Sequence, residues 1–306
     1  MINIEFKSIL DLLKAFPDEE TCSKHLEELR WNGNVTSPFD PTSTVYKCAG
    51  NKYKCRNTGK YFNVRTGTLF DSTKIDLPRW FLAIYLITSH KKGISSIQLS
   101  KDINVTQKTA WFMNHRIRNC FGMGDPTDSI GSDGAVELDE TYVGGKNKNR
   151  HKSKRVSDNS EKTTVLGILE RGGKVMAVKV PDRSRSTLQP IIEQAVVAGA
   201  KVVSDEWDGY NGLYSMYDHK KVNHRAKEYV NLEDRSIHNN TIEGFWSLLK
   251  RGIIGIYHFT SRKHLQKYVD EFAFRYNTRK MKESARFYML FNEMENRLTY
   301  KALIGK

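Results

Sequence analysis

From residue 135 onward the chain alternates short β-branched runs with amphipathic stretches of helical period, an order that admits little except a layered α/β domain. Strands are expected at Ala135–Tyr142, Thr164–Glu170, Lys174–Val180 and Lys201–Ser204. Helices are expected at Ser186–Ala198 and Asn239–Lys250, with a final pair at Arg262–Asn277 and Lys282–Lys301. Gly172-Gly173 closes a hairpin between the second and third strands, so the sheet should have mixed pairing. In the last helices Tyr268, Phe272, Phe274 and Tyr276 read as core.

The stretch FGMGDPTDSIGSDG, residues 121–134, is a boundary, and what precedes it has another texture. Residues 1–30 have helical spacing in Phe6, Ile9, Leu10, Leu13 and Phe16, with Pro17 dividing two helices. Residues 31–70 read as small strands joined by turns, packed through Tyr53, Tyr61 and Phe62. LPRWFLAIYLITSH, residues 77–90, reads as a buried helix with proline in its first turn. Over residues 93–120, Ser95 or Ser96 caps a short helix, Asp102-Ile-Asn-Val turns, and Thr106 caps a second helix. Two short helices about a tight polar turn are the helix-turn-helix pattern. The second one carries Gln107, Lys108, Asn114, His115, Arg116 and Arg118, residue types suited to groove and phosphate contacts.

Charge narrows the partners. The formal balance is +14, from 49 Lys+Arg against 35 Asp+Glu, which suits a polyanion whose condensed counterions are released on binding. Lys146, Lys148, Arg150, Lys152, Lys154 and Arg155 form a basic run free of acids, directly after the acidic Glu137–Glu140. A second basic pair, Lys250-Arg251, follows an apolar helical segment. The longest apolar stretch, Trp80–Ile87, is far short of the roughly 20 residues of a membrane span, so no membrane partner is expected. The start, MINIEFKSIL, lacks the form of a signal peptide. Four scattered cysteines favour a reducing cytoplasm over a disulfide scaffold.

Three carboxylates stand out by position. Asp139 lies in the strand VELDETYV, where alternation places Val136 and Leu138 on one face and Glu137, Asp139 and Thr141 on the other. Asp205 ends an apolar strand, at the edge where open α/β sheets place their sites. Glu243 opens a helix, and Lys250, seven residues on, shares its face. Carboxylates gathered in this way repel unless a hard divalent cation joins them, and Mg²⁺ takes such oxygens. Two ions about 4 Å apart activate a water or 3′-hydroxyl and stabilise the leaving oxygen of a phosphodiester. Lys250 would hold phosphate nearby. Glu140 and Glu206 are alternative ligands, and Asp205 is also placed to cap the turn at Trp207.

The motifs VELDETYVGGKNKNRH (136–151), VPDRSRSTLQPII (180–192), VVSDEWDGYNGL (202–213) and VNHRAKEYV (222–230) resemble those of a known family. So do HNNTIEGFWSLLKRGIIGIYH (238–258), HLQKYVDEFAFRYNTR (264–279) and, in the amino-terminal half, FNVRTGTLFDSTKIDLPRWFLAIYLI and QKTAWFMNHRIR. The chain is similar to insertion-sequence transposases of the ISXO-like group, over most of residues 30–280. Their catalytic domain is a DDE transposase with a ribonuclease-H-like α/β fold.

Ahead of the boundary the expected order is a helical segment over 1–30, read from its spacing, then a degenerate zinc-ribbon-like segment over 31–70, as the resemblance implies, and a helix-turn-helix region over 71–120. A DDE catalytic domain over 133–280 and a C-terminal helix over 281–306 follow. The resemblance implies cleavage and strand transfer at the element's own DNA ends, with Mg²⁺ or Mn²⁺, two ions per site, on Asp139 and Asp205. The group has either Glu or Asn as third residue ahead of the Lys. Glu243 is the expected third ligand, with Asn240 a second candidate and Lys250 the lysine. Gln107, Lys108, His115, Arg116, Arg118, Lys146, Lys148, Arg150, Lys250 and Arg251 are the expected DNA contacts. Pairing two ends calls for a homo-oligomer on DNA, in the bacterial cytoplasm and at the nucleoid. A DNA-binding regulator, or a decayed copy without turnover, is the alternative.

The group's zinc ribbon has two Cys-x-x-Cys pairs. Here those positions are Ser37, Asp40, Cys55 and Thr58, with Cys48 out of register, and one thiol in four makes no closed tetrahedral site. No zinc is expected.

Overall fold

The computed structural model describes residues 3–122, 129–144, 162–223, 230–231 and 234–305. Two units divide the chain, Met1–Phe121 with Lys280–Lys306, and Gly122–Arg279.

In the first unit, local capping chemistry sets the helix starts. Ser8 and Asp18 accept from backbone N–H groups at the heads of α1 (Ile9–Ala15) and α2 (Glu19–Trp31). Strands β1 (Val45–Cys48), β2 (Lys52–Cys55) and β3 (Tyr61–Phe62) form an antiparallel sheet. Tyr53 and Phe62 stack in its buried face with Trp31 edge-on to both. Tyr61, expected beside them, is instead exposed, because adjacent strand residues face opposite ways. Ser37 and Cys55 are both buried. Burial would raise the Cys55 thiol, but the hydroxyls of Ser37, Ser43 and Thr58 and the Thr58 backbone outweigh it and bring it to about 6. Asp40 accepts from Thr42 and from Asn57 at 2.7 Å, so side-chain hydrogen bonds hold these loops.

Helix α3 (Leu77–Ser89), with Pro78 in its first turn, is the buried centre of the unit. Ser95 caps α4 (Ser96–Asp102) and Thr106 caps α5 (Gln107–Arg118) as the sequence predicts.

The second unit is built on a five-stranded sheet. Its strands are β4 (Val136–Val143), β5 (Thr163–Glu170), β6 (Val175–Val180), β7 (Lys201–Ser204) and β8 (Asp218–Lys221). They lie in the order β6-β5-β4-β7-β8, the first three antiparallel and β4, β7 and β8 parallel. The hairpin turn falls at Arg171–Gly173, where Gly172 takes φ +77°. Strand β8, Asp-His-Lys-Lys, was not expected. It has no apolar alternation and is an edge strand, where lysines are at home.

Helix α6 (Arg185–Ala195) covers one face of the sheet, packing Leu188 and Ile192 on Val136, Leu138, Leu166, Ile168 and Val202. Helices α7 (Asn240–Gly252) and α8 (Leu265–Asn277) cover the other, through Ile242, Phe245, Trp246, Leu249, Val269 and Phe272 against Val165, Val175 and Ala177. Strand β5, covered on both faces, is accordingly buried from Thr164 to Glu170 without a break. Tyr268 and Phe272 are buried as expected, and Phe274 and Tyr276 half-buried.

The final helices α9 (Glu283–Asn292) and α10 (Tyr300–Ile304) return to the first unit rather than forming a separate terminal helix. Phe287 and Phe291 of α9 pack edge-on against Phe81 of α3, and Leu69 N–H donates to Met294 O at 2.7 Å. Among the described residues no helix is long and apolar enough to cross a membrane.

Candidate active site

Strand register brings the first two acids together. The parallel pairing of β4 and β7 runs through Val136–Val202 and Glu137–Val203, and continuing it sets Asp205 level with Asp139. Strand β7 ends at Ser204, so Asp205 stands where the two strands part. Asp139 faces α7, where its Oδ2 accepts from Trp246 Nε1 at 2.9 Å. Glu140, next in the strand, points to the opposite face, toward Arg183 and the fully buried Tyr210. One carboxylate oxygen from each of Asp139, Glu140 and Asp205 lies within 4.8 Å of the others.

Such crowding is written into the protonation of the acids. Burial first, then the Asp205 charge, pushes Asp139 up to about 7, against the Trp246 hydrogen bond and with a further push from Glu243. Glu140 is also raised to about 7, by burial, then Asp205 and Asp139, with Arg183 and Tyr210 opposing. Burial and the same acids push the Tyr210 hydroxyl well above its usual range. Three hard oxygen donors with unmet negative charge are the donor set of Mg²⁺ or Mn²⁺, and a poor one for a soft metal. Asp205 also performs its structural task, its Oδ1 accepting from Trp207 N at 3.0 Å. The Arg183 guanidinium lies over the Trp207 ring, 3.9 Å from its centre.

Beside the cluster opens a cleft of about 630 Å³ whose walls include Asp139, Glu140, Glu243, Trp246, Lys250 and Arg251. Glu243 and Lys250 do share one face of α7 and both reach this cleft. Glu243 stands outside the tight cluster, which Asp139 and Asp205 form with Glu140. Asn240 opens α7, exposed, and does not line the cleft. Glu206 is half-buried and outside the cluster. Glu140, read from the sequence as an alternative to its neighbour Asp139, joins it instead, because the two adjacent residues reach the cluster from alternating faces.

The expected DNA contacts divide. Gln107 and Lys108 are exposed at the head of α5, as are Lys250 and Arg251 at the end of α7. His115, Arg116 and Arg118 are buried, at 0%, 5% and 2% exposure, which corrects their reading as groove contacts. The Arg116 guanidinium donates to Leu69 O at 3.0 Å and Leu298 O at 3.1 Å and lies over Phe112, so its charge serves the interior of the first unit. Lys146, Lys148 and Arg150 lie outside the described residues.

The sheet order, its two helical layers and the acid cluster define a mixed α/β domain compatible with the ribonuclease-H-like class. Residues 132–277 match the ISXO2-like transposase domain. A protein of Halobacterium salinarum, described as an uncharacterized protein in transposable element ISH50, is 26% identical over 281 residues, covering 86% of this chain and 92% of that one. Both similarities support an insertion-sequence transposase.

Proposed function

We propose that the chain cuts DNA at the ends of its insertion sequence and joins the freed ends to a target, with the cleft around Asp139 and Asp205 as the catalytic site. The observation that carries this reading is the convergence of Asp139, Glu140 and Asp205 at the parting of two parallel strands, with Asp139 and Glu140 on a cleft that Lys250 also lines. Asp139 and Asp205 are the shared metal ligands. Glu243 supplies the third carboxylate from α7, and Glu140 joins the set from the other face of β4. A pair of bound Mg²⁺ or Mn²⁺ ions there would lower the pKa of a water or 3′-hydroxyl and neutralise charge developing on the phosphodiester.

The protein's own share is positioning. Trp246 fixes the Asp139 carboxylate by its indole N–H, and the Trp207 backbone N–H fixes that of Asp205. Lys250 and Arg251 hold the DNA phosphates at the mouth. The helix-turn-helix region contributes through Gln107 and Lys108 at the head of α5. Joining two ends to one target requires at least two copies of the chain on DNA.

Plasmid nicking in Mg²⁺ or Mn²⁺ tests the reading, with Asp139→Asn and Asp205→Asn beside the wild type. Wild-type nicking that both variants lose supports it, and joined products separate a transposase from a nuclease that only cuts. Equal behaviour of all three, with DNA still bound, makes the chain a DNA-binding regulator instead.

A further inference from the structure

We propose that Glu137, which the catalytic reading leaves unused, is the positioning residue of the cleft. With Arg171 it clamps the first turn of α7 to β4 and so sets where Glu243 and Lys250 stand relative to Asp139. This inference rests on the reading of the cleft given above.

A fully buried carboxylate is costly unless donors surround it, and Glu137 has them. Arg171 Nε donates to Oε1 at 2.6 Å, Thr241 Oγ1 to the same oxygen at 2.8 Å, and the Ile242 backbone N–H to Oε2 at 2.8 Å. His238 Nδ1 stands 3.4 Å away. Arg171, from the β5–β6 turn, spends its other nitrogens on Ser236 O at 2.5 Å and His238 O at 2.6 Å, holding the strand of chain that leads into the helix. Asn239, at the cap position of α7, makes no side-chain capping bond. An acid on the neighbouring strand therefore performs the cap's task, satisfying a backbone N–H and placing negative charge at the positive end of the helix.

What makes this more than a core ion pair is the second rung. Glu137 and Asp139 lie two residues apart on one face of β4, and their α7 partners Ile242 and Trp246 lie four residues apart on one face of the helix. Two residues of strand rise about 6.8 Å and four of helix about 6 Å, so the rungs match with the helix lying along the strand. Glu137 thus sets the height and rotation of α7, and Trp246 carries that setting to the metal-binding acid. Releasing the lower rung lets the helix turn, and Glu243, Trp246 and Lys250 move with it.

Full-length Glu137→Gln and Thr241→Val test the clamp, the second keeping the carboxylate and removing one donor. In the metal-free protein, hydrogen exchange of the α7 amides at residues 242–246 should accelerate about tenfold in Thr241→Val, and more in Glu137→Gln, while α6 amides keep their rates. Mn²⁺ binding, followed by the loss of the free-ion electron paramagnetic signal, should weaken in both. Nicking should fall about 100-fold in Glu137→Gln, the scale of an ångström's misplacement of catalytic groups. Unchanged α7 exchange and Mn²⁺ binding in Thr241→Val overturn the proposal, and that variant decides alone if Glu137→Gln fails to fold. A wild type that nicks nothing refutes the nuclease reading by itself, because the exchange comparison still decides the clamp.

Discussion

Gly167 of β5 pairs with Asp139, and its missing side chain is where the Trp246 indole lies. A Cβ at this position would stand 2.5 Å from Trp246 Cζ2, 2.8 Å from Cη2 and 2.9 Å from Ile242 Cδ1. Carbon contacts settle at about 3.5–4.0 Å, so in Gly167→Ala the ring must retreat by about 1 Å. The Trp246–Asp139 hydrogen bond, now 2.9 Å, would then open beyond bonding range. Overpacking costs about 1–3 kcal/mol and the lost bond to a charged acceptor about 1.5–3, while replacing a strand glycine returns about 0.5–1. A net loss of about 2–5 kcal/mol is expected in the second unit. Hydrogen exchange of β4, β5 and α7 amides along a urea series reads that unit alone, and the midpoint should drop by about 1–2 M. Gly244→Ala is the control, since a Cβ there meets nothing within 4 Å and alanine is the better helix former. Adding Trp246→Phe to Gly167→Ala should recover stability without recovering nicking, because room returns and the indole N–H does not. A Gly167→Ala protein as stable and as active as the wild type refutes the account.

Two further outcomes follow from buried polar groups. His219, on β8 against Ser204 Oγ at 2.8 Å, is lowered from 6.5 to about 4, by burial first and then by Lys221. Below its ordinary pKa the unfolded chain takes up the proton and the folded one does not, so this residue costs stability as pH falls from about 6.5 toward 4. The raised Asp139 and Glu140 act with the opposite sign over nearby pH, so the wild type must be compared with His219→Gln, whose urea midpoint should fall less between pH 7 and 5. Arg116→Ala should cost about 3 kcal/mol or more through two lost charge-assisted bonds and lower Tm by several degrees. A variant with unchanged Tm and weakened DNA binding would return Arg116 to the DNA-contacting set.

How far the sequence reveals this molecule depends on how local each cause is. The caps Ser95 and Thr106 act on N–H groups three residues away, so α4 and α5 are legible from a few letters. The same holds for Gly172 in its turn and for the apolar runs of β4, β5 and β7. Asp139 and Asp205 stand out by position and motif, but their meeting beside Glu140 depends on a strand register that no local pattern states. Arg116 reads as a DNA contact on its helix, and its partners lie at Leu69 and Leu298, far off in the chain. Strand β8 has no apolar signal because it lies at a sheet edge and is held by backbone pairing and the polar His219–Ser204 contact. Glu137 looked like one more acid in an acidic run, since its donors come from Arg171, Thr241 and Ile242.

The chain leaves its first unit at Phe121 and comes back to it at Lys280, which makes the acid-bearing unit an insertion within the other one. Arg279 fastens the exit, donating to Gly173 O at 3.1 Å in the β5–β6 turn. A stop codon or a protease cut just after Arg279 would spare every carboxylate of the cleft. It would remove Phe287, Phe291 and the Met294 and Leu298 carbonyls, the partners of Phe81, Leu69 and Arg116 in the first unit. The loss of the last stretch of the gene would therefore disable the beginning of the protein first.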